Sequence, residues 1–565
     1  LRELVDHAAP LGIALGLALY KVAMTWPLEP RGLARFAAGL DTILIVEEKR
    51  SLIETQVKEQ LFDLPARPRV LGKRDEEGRW LFPAKAALDP LQIAIALGRR
   101  LAAASGDAAL AIRVDDLERM RATPPPAEVF QRIPYFCAGC PHNTSTRVPD
   151  GARAYAGIGC HYMAQWMDRS TEGFTQMGGE GANWVGEAPF SKRGHVFQNI
   201  GDGTFIHSGS LAIRAAVAAG TRITFKLLYN DAVAMTGGQR LEGGMSVAQM
   251  VSQLLAEGVR RVAVVTDDPS RYRGRALPAG VALHHRRDLD AVQRSLAEVD
   301  GTTVLVYDQT CAAEKRRRRK RGTLADPPVR AFIDPEVCEG CGDCGVKSNC
   351  VAILPLETPL GRKRIIDQSA CNKDFSCVEG FCPSFLTLKG AKVRKAATDR
   401  QLPALAEPLP EPTRPGLARP YAMLATGIGG TGVVTVSAVL AEAAYLAGLG
   451  FGSIDVTGLA QKGGAVACHM RVADRQEDIH AIRVSAGKAD LVLGCDLVVS
   501  GNKKVLGAVR EGHTIFVANT TEVMPGDFAR AADFFLPTER LKKAIRTAAG
   551  EDRAHFFDAT RTAAA

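Results

Sequence analysis

Val196-Phe197-Gln198-Asn199-Ile200-Gly201-Asp202-Gly203, followed by Ser208 to Ala219 and then Arg222 to Tyr229, is the stretch that decides the fold of this chain. Its first five residues read as a buried strand and Gly201-Asp202-Gly203 as a tight turn. Ser208 to Ala219 reads as a helix ended by Gly220, and Arg222 to Tyr229 as a returning strand. Such a unit closes as a right-handed parallel crossover, which predicts an α/β, doubly wound sheet. It places a helix N-terminus and a flexible turn where an anion can sit, and Asp202 where a carboxylate can hold a hard cation. A diphosphate bridged by magnesium meets both demands. The second strand also returns Asn230, with its side-chain oxygen, to the neighbourhood of Asp202.

Outward from this unit the chain is long, 565 residues against roughly 150 per domain, so several domains are expected. With 46% apolar and 24% charged residues it has the composition of a folded globular protein, which excludes wholesale disorder. The net charge is +9, but Lys315 to Arg321 supply seven positive charges in one run, so no fold-wide basic face for nucleic acid is expected. Pro124-Pro125-Pro126, the basic run and six prolines between 403 and 420 serve as the breaks. They divide the chain into segments 1–123, 130–325 and 328–395, a linker at 396–420, and a last segment 421–565. No repeat of fixed period is read along the chain. The basic run is expected to be a solvated linker, with docking of an acidic partner as the second possibility.

Thirteen cysteines are present, and seven fall between Cys338 and Cys382, an uneven clustering that suits metal or cluster ligation in a reducing, cytoplasmic compartment better than a secreted disulfide frame. Cys338-x2-Cys341-x2-Cys344 is the spacing that wraps three thiolates around one cluster corner. Gly432 to Phe451 is nearly continuous apolar sequence; a crossover helix after a Gly-rich turn explains it without a membrane span. Tyr421 to Thr426 reads as a strand entering Gly427-Ile-Gly429-Gly430-Thr431-Gly432, a dinucleotide-type turn whose acidic partner is loosely matched by Asp455. Cys468 and Cys495 read as core residues.

Gly201-Asp202-Gly203 followed by Asn230-Asp231 is the pattern of thiamine diphosphate enzymes, and Ala234-Met235-Thr236-Gly237-Gly238-Gln239 resembles the loop that completes the metal site in 2-oxoacid:ferredoxin oxidoreductases. The resemblance implies magnesium held by the Asp202 and Asn230 side chains and the Ala232 carbonyl. It implies cofactor contacts from Gly159, Gly201, Asp202, Gly203, Thr204, Asn230, Ala232, Met235 and Thr236. Cys137-Ala-Gly-Cys140-Pro-His142 and Gly157-Ile158-Gly159-Cys160-His161 match two further motifs of that family. They imply a proximal iron–sulfur cluster on Cys137, Cys140 and Cys160, with Cys311 as fourth ligand; structural zinc on the same sulfurs and no metal are the alternatives. His142 and His161 are candidates to face the substrate, against the plainer role of hydrogen-bonded scaffolding.

Tyr20 to Pro30 and Val46-Glu47-Glu48-Lys49-Arg50 resemble the C-terminal domain of transketolase-type enzymes. Cys382-Pro383 resembles the remote fourth ligand of bacterial ferredoxins and completes a 4Fe-4S set with Cys338, Cys341 and Cys344. Cys350, Cys371 and Cys377 leave a second cluster one thiolate short, so a three-iron cluster, a non-cysteine ligand and no second cluster stay open; a zinc or disulfide module is the alternative for the whole segment. Gly458 to Gly464 resembles the Rossmann-like gamma domain of the same family, where the Gly-rich turn serves coenzyme A or subunit packing.

The domain order resembles the long, fused members of this family that act on indolepyruvate. That implies oxidative decarboxylation of an arylpyruvate with coenzyme A, and electrons passed to ferredoxin, in a dimeric protein with no nucleic-acid or membrane partner. The family's pyrimidine-binding domain, with its activating Glu, has no counterpart here, so the chain is expected to be a fragment or one half of a site and inactive alone. A non-oxidative thiamine decarboxylase or carboligase, and a non-catalytic electron-transfer subunit, are the rival functions.

Overall fold

The computed structural model describes residues 17–122, 128–235, 237–239, 242–274, 277–393, 411–457 and 463–564. Pro124 to Pro126, Thr236, Gly458 to Lys462 and most of the proline-rich linker lie outside them.

The centre is a seven-stranded sheet, parallel throughout, in the order Thr171–Phe174, Ala154–Ala156, Val196–Gly201, Ile223–Tyr229, Thr302–Asp308, Arg261–Thr266 and Ala282–His285. Its middle strands are apolar on both sides because helices cover both faces. Phe225, Leu227, Val264, Val304 and Val306 pack on one face against helices Ser210–Ala218 and Val247–Ala256. Leu228, Val265, Leu305 and Tyr307, one residue out of phase, pack on the other against helix Leu289–Ala297. The doubly wound α/β expectation therefore holds.

The quoted unit folds with one difference. The strand runs through Gly201, and a helix starts at Asp202 without a separate turn, passing through a π-helical stretch, Phe205–Gly209, before the regular helix from Ser210. The Asp202 carboxylate accepts the Gly203 amide at 2.9 Å, taking a donor that an intervening turn would otherwise have satisfied. Single π-helical turns are frequent at functional sites.

In the first segment, helices Pro30–Ala37, Ile53–Gln60, Pro90–Ser105 and Ala108–Ala122 surround a two-stranded parallel sheet, Thr42–Leu44 with Arg69–Leu71. Glu29 and Glu47, from the two quoted motifs, cap helix starts: Glu29 accepts the Arg31 amide at 2.9 Å, Glu47 the Ile53 amide at 2.8 Å. The cysteine-rich segment is built on two antiparallel ribbons, Val329–Ile333 with Phe385–Lys389 and Ile353–Thr358 with Gly361–Ile366.

The last segment is a six-stranded mixed sheet in which Tyr421–Ile428 leads into helix Val433–Leu446. That helix has 14 residues, and no described helix is long and apolar enough to cross a membrane. Asp455 sits on the edge strand opposite Cys468, hydrogen-bonded to its thiol, so it is engaged there rather than at the Gly-rich turn. Cys468 is buried as expected, whereas Cys495 is exposed. A buried pair, Arg132–Asp496 at 2.9 Å, ties this sheet to the irregular segment leading into the central domain.

The basic run is not a linker. It is the body of helix Ala312–Lys320, and almost every charge on it is used. Lys315 pairs with Asp267 at 2.7 Å, and Arg318 with Asp231 at 2.8 Å and Glu314 at 2.9 Å. Arg316 donates to the Ser369 and Ala370 carbonyls and Arg319 to that of Asn372. One helix thus fastens the cysteine-rich segment to the loop that follows Asn230. Composition alone shows seven like charges repelling one another; the partners come from three distant stretches.

Candidate active site and cysteine centres

Asp202 directly follows the third strand of the sheet order and Asn230 the fourth, so the parallel register sets them side by side. The Asn230 and Asp231 amides both donate to Oδ2 of Asp202, at 2.9 and 3.0 Å. Asp231 turns through a left-handed conformation, φ +56°, which redirects the chain so that Ala232 is buried beside them. Burial lifts the Asp202 carboxyl to about 6, against the lowering effect of its backbone donors. Oδ1 of Asn230 is buried with no hydrogen-bond partner. An anionic carboxylate and an orphaned amide oxygen, both withdrawn from water, are the donor set that suits magnesium.

Below this pair, Gly157 and Gly159 make room for His161. A Cβ on Gly157 would lie 2.7 Å from its Nε2, and one on Gly201 3.4 Å from its Cε1. Burial holds the His161 ring down at about 4, so it is neutral at physiological pH, and its Nε2 has no partner. His142 stacks edge-on to it at 5.6 Å, with Nδ1 3.2 Å from Ser145 Oγ. Of the two histidines, His161 carries the unspent polar atom at the cofactor face. Thr204 is buried in the first helical turn, Met235 is half-buried in the loop after Ala232, and Thr236 lies outside the described residues.

Cys137, Cys140, Cys160 and Cys311 line a single cavity, together with His142 and Asn230. The Cys311 amide donates to the Asn230 carbonyl at 3.0 Å, so Cys311 is tied directly to the start of the loop that follows the fourth strand. All are free thiols, and burial raises that of Cys140. Among the described residues no three His, Cys, Asp or Glu side chains are arranged around a point to hold a single ion. Four thiols around a cavity suit a cluster, which offers each ligand its own iron.

The cysteine-rich segment lies against this centre. The Gly139 amide points at the Cys350 sulfur, and Asn372 Nδ2 donates to the Ala138 carbonyl at 2.8 Å. Cys350 is neighboured by Cys371, and Cys377 by both. Cys341 and Cys382 are exposed, and Lys347 lies within the field of both. The cysteines thus run from buried at Asn230, through Cys350, Cys371 and Cys377, to solvent at Cys341 and Cys382. Burial pushes the thiols of Cys344 and Cys350 up to about 11 and that of Cys377 up to about 12.

A repeat is present after all, contrary to the expectation of none. An offset of 33 residues carries Ile333-Asp334 onto Ile366-Asp367, Cys338 onto Cys371, Cys341 onto Asp374 and Cys344 onto Cys377. It was obscured because the middle cysteine of the first copy is an aspartate in the second. Asp374 and its partner Arg286, paired at 2.6 Å, are therefore the residues that a search for cysteines passes over.

An indolepyruvate oxidoreductase domain matches residues 5–123, where a transketolase-like domain was expected. The C-terminal TPP binding domain of thiamine pyrophosphate enzymes matches 157–305, and the pyruvate ferredoxin/flavodoxin oxidoreductase family matches 422–564. Indolepyruvate oxidoreductase subunit IorA of Thermococcus kodakarensis is 25% identical over 391 residues, 65% of this chain and 55% of that protein. Subunit IorB of Methanothermobacter thermautotrophicus is 25% identical over 133 residues, 24% of this chain and 64% of that protein. Among solved structures, 2-oxoglutarate:ferredoxin oxidoreductase from Magnetococcus marinus is 18% identical, covering 34% of this chain and 67% of that one, with a TM-score of 0.26. The chain spans about half the length of the IorA relatives it matches. With its three family matches in this order and IorA and IorB as relatives, the chain is similar to the 2-oxoacid:ferredoxin oxidoreductases and, among them, to the indolepyruvate oxidoreductases.

Proposed function

We propose that this chain is the thiamine diphosphate-binding and electron-transfer part of an enzyme that oxidatively decarboxylates an arylpyruvate, indole-3-pyruvate, with coenzyme A. The products are an aryl-acetyl-coenzyme A, carbon dioxide and two reduced ferredoxins. The observation that carries this is the shared cavity: Asn230 and the four thiols of Cys137, Cys140, Cys160 and Cys311 line the same space. A cluster held by these thiols would supply an electron acceptor beside the thiamine diphosphate that Asp202 and Asn230 would anchor. A non-oxidative decarboxylase or carboligase has no task for those sulfurs, and a bare electron carrier has none for the Asp202–Asn230 pair.

Asp202, Asn230 and the Ala232 carbonyl would hold magnesium and, through it, the diphosphate, with Gly201, Gly203 and Thr204 presenting the helix start to it. Thiamine diphosphate, when bound, supplies the electron sink for loss of carbon dioxide. His161, kept neutral by burial, offers Nε2 for one hydrogen bond to the reacting group without becoming a cation, and His142 fixes its ring plane. The cysteines of the ferredoxin-like segment would hold the iron–sulfur clusters that supply electron transfer, with Cys341 and Cys382 at the exposed end that would face ferredoxin. A dimer, a separate pyrimidine-binding domain carrying the activating Glu, and the reducing cytoplasm complete the proposal.

The test is an anaerobic assay, in the full-length protein, of viologen or ferredoxin reduction with indole-3-pyruvate against a panel of 2-oxoacids, with thiamine diphosphate, magnesium and coenzyme A. Arylpyruvate-dependent reduction is expected. Release of carbon dioxide and free aldehyde with no reduction of either acceptor would establish the lyase instead.

A further inference from the structure

The two copies of the 33-residue repeat share backbone conformation as well as sequence. In Cys338–Cys344 the left-handed positions are Gly340 and Gly342, at φ +75° and +81°. In Cys371–Cys377 they are Lys373 and Phe375, at φ +55° and +61°. Left-handed Lys and Phe are disfavoured by roughly 1 kcal/mol each, and persist where the surroundings over-determine the loop. The same hydrogen bonds recur. Cys338 and Cys371 donate their amides to Asp334 and Asp367 carbonyls at 3.0 and 2.9 Å. The Gly340 and Lys373 amides each point at the sulfur two residues back, at 3.4 Å. Each loop then enters a short helix, Asp343–Ser348 and Ser376–Val378, capped by its second left-handed residue.

Asp374 thus occupies the place that Cys341 holds in the first copy. We propose that Asp374 is an iron ligand, completing a second ferredoxin-type cluster with Cys350, Cys371 and Cys377. This rests on the electron-transfer function proposed above and adds the donor that the cysteine count lacked. The carboxylate is prepared for it. Its Oδ1 accepts from Arg286 at 2.6 Å and Gln309 at 2.8 Å, while its Oδ2 takes no hydrogen bond from any described residue. Outer partners of this kind fix the orientation of a ligating carboxylate and offset its charge. Cys350 lies beside the Cys137–Cys140 loop, and a Cβ on Gly139 would be 3.0 Å from the Asp374 Cβ, so this cluster stands between the buried centre and the exposed one.

An oxygen donor holds iron less firmly than thiolate does, being a poor match to the softer sites of an iron–sulfur cluster. The iron at Asp374 is therefore the one most readily lost: ferricyanide takes one electron from [4Fe-4S]2+, one Fe2+ leaves, and [3Fe-4S]+ remains. The test is electron paramagnetic resonance and iron analysis of the anaerobically reconstituted 565-residue chain. In the unmodified chain, limited ferricyanide should give a three-iron signal of one spin per chain. Asp374→Cys should suppress that signal and keep the full iron content; Asp374→Ala should show it as isolated, with one iron fewer. Arg286→Met, which removes the ion pair but not the carboxylate, should still convert with ferricyanide. An Asp374→Cys signal identical to the unmodified chain's, or full iron content in Asp374→Ala, would overturn the ligand assignment while leaving the function intact. A cysteine-rich segment that takes up no iron would overturn both.

Discussion

The backbone amide of Asn230 donates to Oδ2 of Asp202 at 2.9 Å across two adjacent parallel strands, which leaves the Asn230 side-chain oxygen buried and unpartnered beside a carboxylate. The fold holds an anion and a polar atom out of water with only backbone donors to offset the cost. A divalent cation relieves both. Asp202→Asn should therefore abolish the rise in melting temperature produced by magnesium plus thiamine diphosphate, worth about 2.7 kcal/mol at ligand a hundredfold above its Kd. The cation-free variant should melt no lower than the unmodified chain, because the buried charge is gone. Differential scanning calorimetry with and without the two ligands reads both effects.

Cys140→Ser should lower iron and acid-labile sulfide by one cluster per chain while preserving the thermal response to magnesium and thiamine diphosphate. The Cys140 thiol lines the cavity, but the Asp202 and Asn230 oxygens do not depend on it. Loss of both properties together would show that the two centres fold as one.

Arg132→Ala leaves Asp496 buried without its charge partner, both side chains being 3% exposed. Removing one member of a buried pair costs about 3–5 kcal/mol. Asp496 also caps the helix starting at Leu497 through the Val499 amide at 2.9 Å, so its displacement should be felt there first. Urea unfolding should show the last domain losing stability before the central sheet does.

Arg316 and Arg319 hold carbonyls of residues 369, 370 and 372, just before and within the second repeat loop. Replacing both by Ala should speed amide hydrogen exchange across 367–377 and leave the 334–344 copy unchanged. Equal protection in both loops would mean that the basic helix does not brace the segment.

Two histidines outside the cofactor face, His195 and His469, are each held down at about 4 by burial. His195 Nε2 lies 2.7 Å from Thr224 Oγ1, and His469 Nδ1 accepts the Val484 amide at 3.1 Å. Their folded-state values lie below the ordinary 6.5, so the unfolded chain takes the protons first. The stability they contribute is complete above pH 6.5 and is lost as pH falls toward 4. Melting temperature against pH should drop across that window, and His195→Gln should flatten part of the drop.

Much of this site is legible in the sequence because its spacing is local. Gly201-Asp202-Gly203 and Asn230 belong to adjacent strands joined by one helix, so the crossover rule alone brings them together. Cys338-x2-Cys341-x2-Cys344 declares itself for the same reason. The basic helix was misread because charge repulsion is visible in sequence and the acceptors at Asp267, Asp231, Ser369 and Asn372 are not. The repeat escaped because a pattern of cysteines does not register a carboxylate.

Residue order by itself determined the strand–helix–strand unit and the close spacing of Cys338, Cys341 and Cys344, since these follow from periodicity and short-range stereochemistry. Only the tertiary structure decided that the Cys311 amide meets the Asn230 carbonyl, that five of the seven positive charges of the basic run find partners, and that Asp374 is paired with Arg286 and Gln309. Each depends on groups far apart in the chain, and burial, by removing water as a competing partner, makes those distant contacts the ones that count.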